Sequence, residues 1–242
     1  MTESLFISDL HLCDSRPAAL TLFEKFIRGR ARQAGNLFIL GDLFDAWVGD
    51  DDDSQTATRV QQALRQLSEN GTAVHIMHGN RDFLIGERFC QQSGASLLPD
   101  PFVLQEMPQP ILLTHGDLLC TDDVNYQQAR RMRTDPAWIE DFLARPLTER
   151  KLLAEQYRQQ SGEAKSLLAV DIMDANEVTV LDFFRLYQVS FMIHGHTHRP
   201  ATHEHRLGGK TAIRIVLAEW HDDLGMALSI DERMQPETLQ IT

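Results

Sequence analysis

The sequence predicts an α/β fold in which sheets flanked by helices carry an inserted helical cap, and three observations support it. Five short apolar runs recur along the chain, helical periodicity lies between the early ones, and a later stretch is rich in helix and poor in strand.

The runs are LFIS (5–8), LFIL (37–40), AVHIM (73–77), ILLT (111–114) and VSFMI (189–193), each short and apolar enough for a buried strand. Each leads directly into a polar cluster: DLH (9–11), GDLFD (41–45), HGNRD (78–82), HGD (115–117) and HGHTH (194–198). In open α/β sheets ligands bind beyond the carboxyl ends of the strands, so these clusters imply one shared site. Between the early strands, Ala19 to Gly29 places Leu22, Phe23, Phe26 and Ile27 at helical spacing, and Thr58 to Leu67 does the same with Val60, Ala63, Leu64 and Leu67. The first half therefore reads β-α-β-α-β. In the tail, IRIVLAEW (213–220) and MALSID (226–231) read as consecutive strands with turn residues between them.

The span from His115 to His194 exceeds an ordinary crossover, which places a helical cap at about 122–170 within a single domain covering 1–242. Residues 124–170 hold eight basic and six acidic residues, and Trp138, Ile139, Phe142, Leu143 and Leu147 add an apolar surface. Two explanations stand: helices packed on the core with a solvated basic face, or a lid for an amphiphile that is anionic at one end and apolar at the other.

Composition narrows the partners. A chain of 242 residues with 43% hydrophobic content has ample core for one domain. Its net charge of −12 argues against general nucleic-acid affinity, which depends on cations displacing counterions from phosphates. Anionic ligands must then be held by local cations or metals. Cys13, Cys90 and Cys120 lack CxxC spacing, which suits a reducing compartment and small core residues rather than a thiolate site. The opening MTESLFISDLHL has neither the basic start nor the long apolar stretch of a signal peptide. No segment approaches the roughly 18 to 20 apolar residues of a membrane span, so a cytoplasmic location is expected.

The clusters supply metal donors. Asp9 and His11 stand two apart, which on a strand places them on one face, and His196 and His198 repeat that spacing. Asp42, Asn80 and His115 add one donor each. Seven donors exceed one tetrahedral ion and suit two five- or six-coordinate ions sharing a carboxylate, with Asp42 as the bridge. Carboxylate, amide and imidazole donors without thiolate favour Mn²⁺, Fe²⁺ or Zn²⁺ in a reactive site over a structural zinc. Two such ions about 3.5 to 4 Å apart lower the pKa of a shared water and neutralise a phosphoryl group, which favours hydrolysis of a phosphate ester or anhydride. Taken singly, each Asp could cap a helix and each His could be a satisfied core residue; the ordered set gives the signal its specificity. His78 and His194 suit roles behind the ligands, whereas His75, His203, His205 and His221 fit no ligand pattern.

In this order DLH, GDLFD, GNRD, HGD and GHTH resemble the motifs of the calcineurin-like metallophosphoesterases, from residue 5 to about 200. The resemblance implies a four-layer α/β/β/α sandwich with a dinuclear centre. Asp9, His11 and His198 would hold one metal and Asn80, His115 and His196 the other, with Asp42 between them. Many relatives read GNH where this chain has Arg81. Arginine cannot donate a proton near neutral pH, but its fork grips phosphate oxygens. The expected catalytic set is therefore Asp42, Asn80, Arg81 and His115.

GNRDFL, GDLFDAWVGDDD and HGDLLCTDD are further similar to the branch of that family that cleaves the diphosphate of UDP-2,3-diacylglucosamine in lipid A biosynthesis. That resemblance implies Mn²⁺, water attack on the α-phosphorus, UMP and 2,3-diacylglucosamine 1-phosphate as products, a cap that binds the lipid, and peripheral contact with the cytoplasmic face of the inner membrane. A good leaving group lessens the need for a dedicated acid, which agrees with Arg81. Asn80, Arg81, Asp123, Ser161 and His196 match the expected substrate contacts. Leu168 stands where relatives tend to carry lysine, and Lys165 one turn earlier is its replacement. Plainer roles are a pairing of Arg81 with Asp82 or Asp117, a helix cap for Asp123, and a solvated loop for GDDDD (49–53). At the level of function, the alternatives are another dinuclear phosphoesterase acting on a nucleotide or phosphoprotein, and a non-catalytic binding module, which has no need of seven donors.

Overall fold

In the computed structural model, which describes residues 3–167 and 174–242 (for 158–167 the helical backbone alone), two β-sheets face each other between layers of helix. The first sheet is built on four parallel strands, β1 (Ser4–Ile7), β2 (Asn36–Leu40), β3 (Ala73–Met77) and β4 (Ser96–Leu98). On the other side of β1 it continues antiparallel through β10 (Gly225–Ile230) and β11 (Pro236–Ile241). The second sheet runs β5 (Phe102–Leu104), β6 (Ile111–Leu113), β7 (Phe191–His194), β9 (Lys210–Val216) and β8 (Ala201–Leu207), with β6, β7 and β9 mutually parallel.

The continuous apolar runs are explained by burial of both strand faces. Leu5 and Ile7 of β1, Leu37 and Ile39 of β2, and Val74 and Ile76 of β3 point to one cluster, where α1 (Pro17–Arg28), α2 (Gln55–Glu69) and α3 (Glu87–Ser93) cover the first sheet. The alternate residues Phe6, Phe38, Leu40 and Met77 point the other way, against Ile111, Leu113, Phe191 and Ile193 of the second sheet. Leu112 and Met192, on that sheet's far face, pack with Val180 and Phe184 of α7 (Glu177–Tyr187). The layers are therefore α/β/β/α, as expected. Each fully buried Leu, Ile or Phe contributes about 1.5–3 kcal/mol.

The helices begin where side chains meet orphan amides. Ser54 caps α2 by accepting from Ala57 N, Asn176 caps α7 by accepting from Thr179 N, and Pro17 occupies the first turn of α1.

Between β6 and α7 lie α4 (Val124–Arg133), α5 (Pro136–Leu143) and α6 (Leu147–Leu167). Trp138, Ile139, Phe142 and Leu147 pack on the first cluster, so most of the apolar surface expected here faces the body; Leu143 is exposed. The GDDDD run is largely committed to fastening helices. Asp50 accepts from Gly86 N (2.9 Å) and Phe89 N (3.0 Å) at the start of α3. Asp51 pairs with the buried Arg150 of α6, and Lys151 reaches Asp52 (3.4 Å) and Asp53.

Sequence reading missed β4, β5, β8 and β11. The first two are three residues long, and ATHEHRL and PETLQI are mostly exposed edge strands with no continuous apolar run. β9 stops at Val216, short of the expected 220, and it belongs to the second sheet whereas β10 belongs to the first. Of the cysteines Cys120 is buried and Cys90, half-buried, packs against the first cluster, whereas Cys13 is half-buried outside the clusters, so the expectation of three core residues fails for Cys13.

Candidate metal centre

The carboxyl ends of β1, β2, β3, β6 and β7 lead into the five motif loops. Strand β1 ends at Ile7, so Asp9 and His11 sit on the loop beyond it, and the shared strand face expected for them is not how they meet. Five of the seven expected ligands instead hold left-handed backbone: Asp9 (φ 55), His11 (φ 49), Asp42 (φ 52), His196 (φ 68) and His198 (φ 55). Such conformers are uncommon outside glycine and concentrate at functional sites. Backbone bonds from Leu10 N and His11 N to Asp42 O (2.9 and 3.0 Å), and from Leu12 N to Leu43 O (3.0 Å), lock the first loop to the second.

All seven expected donors converge. The ligand atoms of Asp9, His11 and His198 lie within 4.8 Å of one another, as do those of Asp9, Asp42 and His115. Asp42 stands between the histidines, with Oδ2 3.9 Å from His11 Nε2 and Oδ1 3.8 Å from His115 Nε2. Asn80 Oδ1 is 2.9 Å from His196 Nδ1 and 3.2 Å from His115 Nε2.

The donor set fits divalent cations. His115 Nδ1 lies 2.9 Å from Leu40 O and must carry hydrogen there, so the neutral ring turns a lone pair towards the oxygens of Asn80 and Asp42. His198 Nδ1 lies 2.6 Å from Glu219 Oε2, which likewise leaves Nε2 facing His11 Nε2 (3.4 Å) and Asp9 Oδ1 (3.4 Å). Asp9 Oδ1 is buried without a hydrogen bond. Acceptors aimed at acceptors call for positive charge between them. The titration tendencies agree. Burial pushes the Asp42 carboxyl up to about 7. Against burial, which favours the neutral ring, the carboxylates of Asp42, Asp117 and Asp9 push His115 up to about 9. Without another cation the site draws a proton to do the same work.

The supports behind the ligands are specific. Ser8 Oγ donates to Asp9 Oδ2 (2.6 Å), and His196 N donates to the same oxygen (2.9 Å). Asp82 takes backbone N–H groups from Gly79 (2.8 Å) and Leu43 (2.7 Å), so it fastens the GDLFD and GNRD loops together. Asp117 pairs with Arg130 (2.7 Å) and accepts from Tyr126 Oη (2.8 Å). Neither carboxylate is paired with Arg81, which answers the plainer roles considered for that residue.

Arg81 hydrogen-bonds through its backbone, N to Asp42 Oδ1 (2.8 Å) and O from Trp47 N (2.9 Å). Its side chain has no hydrogen-bond partner among the described residues; it lines a crevice with Asn80, Trp47, Val48, Trp138 and Phe142, and its charge acts on His11. Asp123 does cap α4 by accepting from Tyr126 N (2.9 Å), while also lining a cavity with His196 and His198. Ser161 and Lys165 fall on α6, but their side chains, and Leu168 altogether, lie outside the described residues. His78 contacts Ile85 O (2.7 Å), and His194 accepts from Arg214 Nη1 (3.0 Å), both behind the ligands. His205, which fits no ligand pattern, is buried between Glu177 and Arg214. Glu219 was missed because the expected strand ran through it to 220; with β9 ending at Val216 it lies beyond a strand's carboxyl end, as the other clusters do.

A two-sheet sandwich with these donors gathered at its strand ends is the framework of a metal-dependent phosphoesterase. Residues 4–200 match the model of the Calcineurin-like phosphoesterase family, and the chain belongs to that family. Membership implies divalent metal ions. The chain is 49% identical to UDP-2,3-diacylglucosamine hydrolase of Aromatoleum aromaticum over 221 residues, covering 91% of this chain and 90% of that protein. It is 46% identical to the protein of the same name from Escherichia coli over 224 residues, 92% of this chain and 93% of the relative.

Proposed function

We propose that this chain hydrolyses the diphosphate of UDP-2,3-diacylglucosamine, with Mn²⁺ as its metal, giving UMP and 2,3-diacylglucosamine 1-phosphate in lipid A biosynthesis. The observation that carries this reading is a complete set of converging donors in a chain whose relatives of that name match over nine-tenths of its length. Two divalent ions held by these residues would lower the pKa of a water near neutral pH and neutralise charge on the phosphoryl oxygens.

The chain's own residues do the rest. Asp9, His11 and His198 form one half of the ligand set and Asn80, His115 and His196 the other, with Asp42 joining them. Water gives up a proton to solvent as its oxygen adds to the α-phosphorus, the bond to the bridging oxygen breaks, and the electron pair leaves with the sugar phosphate. That group is stable as an anion, so no side chain need protonate it. Arg81, fixed at its backbone by Asp42 and Trp47, offers an uncommitted fork to the diphosphate oxygens and steadies the charge that builds there. The crevice of Trp47, Val48, Trp138 and Phe142 gives an acyl chain an apolar wall beside it. Asp123, Ser161, Lys165 and Leu168 complete the assigned contacts on the resemblance alone.

No helix among the described residues is long and apolar enough to cross a membrane. We assign the chain to the cytoplasmic face of the inner membrane as a peripheral protein, because its substrate is a lipid and α4 to α6 expose Val124, Met132, Leu143, Leu152 and Tyr157.

The test compares Mn²⁺-dependent UMP release from the acylated sugar nucleotide with phosphate release from simple monoesters. Strong monoesterase activity without UMP release would replace this reading with that of a different phosphoesterase. Arg81→Ala should lower UMP release at least about a hundredfold while leaving metal content intact; unchanged turnover would remove the role given to Arg81.

A further inference from the structure

A second cleft, of about 450 Å³, also opens at Asn80. It shares only Asn80, Phe83 and Arg133 with the crevice beside Arg81, so two separate paths leave the metal centre. Accepting the proposed hydrolase reading, we propose that this cleft is the nucleoside subsite, in which Asp100 accepts from the ribose diol and the uracil lies between Leu97 and the Arg133 guanidinium.

The substrate has two unlike halves joined at the diphosphate, and Asn80 is where that diphosphate must sit. The crevice beside Arg81 is lined mainly by apolar side chains and, at about 60 Å³, is too small for a base and sugar. The second cleft is of a size typical for small-molecule sites and has two kinds of wall. One, with Leu97, Leu98 and Pro99, suits the face of a flat base. The other carries Asp100, Asp117 and Arg130.

Asp100 is the group that points to a hydroxylated ligand. One of its oxygens accepts from Thr114 Oγ1 (2.6 Å) and His115 N (3.3 Å), whereas Oδ2 is buried and has no hydrogen-bond partner. Arg130 Nη2 stands 3.8 Å from that oxygen, and its Nε is already bonded to Asp117 at 2.7 Å. A buried carboxylate oxygen left without a hydrogen bond is destabilising, and a vicinal diol is a neutral partner that offers two O–H donors to it. The same carboxylate–ribose pairing recurs in dinucleotide sites of unrelated fold. Arg133 already lies over the Phe83 ring, 5.8 Å from its centroid, and also lines the cleft, where a guanidinium can stack on a base.

The experiment is competitive inhibition of UMP release by UMP, 2′-deoxy-UMP and the acylated sugar phosphate, for the wild type, Leu97→Trp and Asp100→Asn. Leu97 is partly exposed on β4, so a larger ring there fills the cleft without entering the core. Leu97→Trp should raise the inhibition constant of UMP about tenfold or more and leave that of the acylated sugar phosphate within about twofold. The wild type should prefer UMP over 2′-deoxy-UMP by about tenfold, the worth of a hydrogen bond to a charged group, and Asp100→Asn should erase most of that preference. UMP inhibition that ignores Leu97→Trp would overturn the assignment, as would weakening of the lipid product instead, which would give this cleft to an acyl chain. A wild type that releases no UMP would sink the hydrolase reading itself, and the subsite with it.

Discussion

Glu219 should control the affinity of one metal position and not the other. Its Oε2 lies 2.6 Å from His198 Nδ1, the outer nitrogen of a ring whose Nε2 faces Asp9 and His11. A carboxylate there fixes the tautomer and makes the ring a stronger donor. Glu219→Gln keeps an acceptor of the same shape but removes its charge. Charged hydrogen bonds contribute roughly 1.5–3 kcal/mol and neutral ones roughly 0.5–1.5, so the loss is about 1–1.5 kcal/mol, or about five- to tenfold in affinity. Glu219→Ala frees the ring altogether and should reach the ten- to hundredfold range known for lost supports behind metal ligands. The assay is Mn²⁺ titration of chelator-treated protein by calorimetry or electron paramagnetic resonance. Two binding steps are expected, with only one weakened. His115, by contrast, is held by the backbone carbonyl of Leu40, which neither substitution touches. Two unchanged affinities, or two that fall together, would refute the argument that Glu219 acts through His198.

Three further outcomes follow from the same geometry. Gly195→Ala would drive a Cβ into Ser8 Oγ and Asp9 Oδ2, so turnover should fall about a hundredfold, as for a ligand displaced by about 1 Å, with the far-ultraviolet circular dichroism unchanged. Arg150→Met removes a buried guanidinium that bonds Val48 O, Arg145 O and Asp51; about 1–3 kcal/mol of the docking of α6 should be lost, and limited proteolysis should cut first within residues 124–157. Adding Mn²⁺ at about a hundred times its dissociation constant should stabilise the metal-free protein by about 2.7 kcal/mol per site, a rise in melting midpoint of about 5–11 °C for a chain of this size; an unmoved midpoint would mean that the donors do not hold the ion.

The parallel strands that lead into the motif loops, β1, β2, β3, β6 and β7, were legible because burial makes each a short apolar run. Their ends were legible because polar residues that follow such runs have few other reasons to be there. The edge strands β8 and β11 carry exposed polar residues and look like loops, and β4 and β5 are too short to show a period. The acidic run at 49–53 could be noticed but not understood, because its partners Arg150 and Lys151 lie far along the chain and nothing in composition pairs them. Trp138 and Phe142 announced an apolar surface; only packing reveals that it is turned inward.

Spacing alone also concealed how the ligands are aimed. A strand would alternate its side chains, but Asp9 and His11 lie beyond the strand and turn to the metal site through left-handed backbone, while Leu10 and Leu12 between and after them enter the core. A left-handed residue of this kind costs roughly 1–2 kcal/mol, and five ligand residues adopt it. Such a conformation persists only where the surroundings over-determine it. Here the buried leucines pull one way and the carbonyls of Gly41, Asp42 and Leu43 hold the intervening amides, so the core itself presents the donors. The affinity of the centre is therefore set before any ion arrives, and substitutions at Leu10 or Leu12 should weaken metal binding although neither side chain is a ligand.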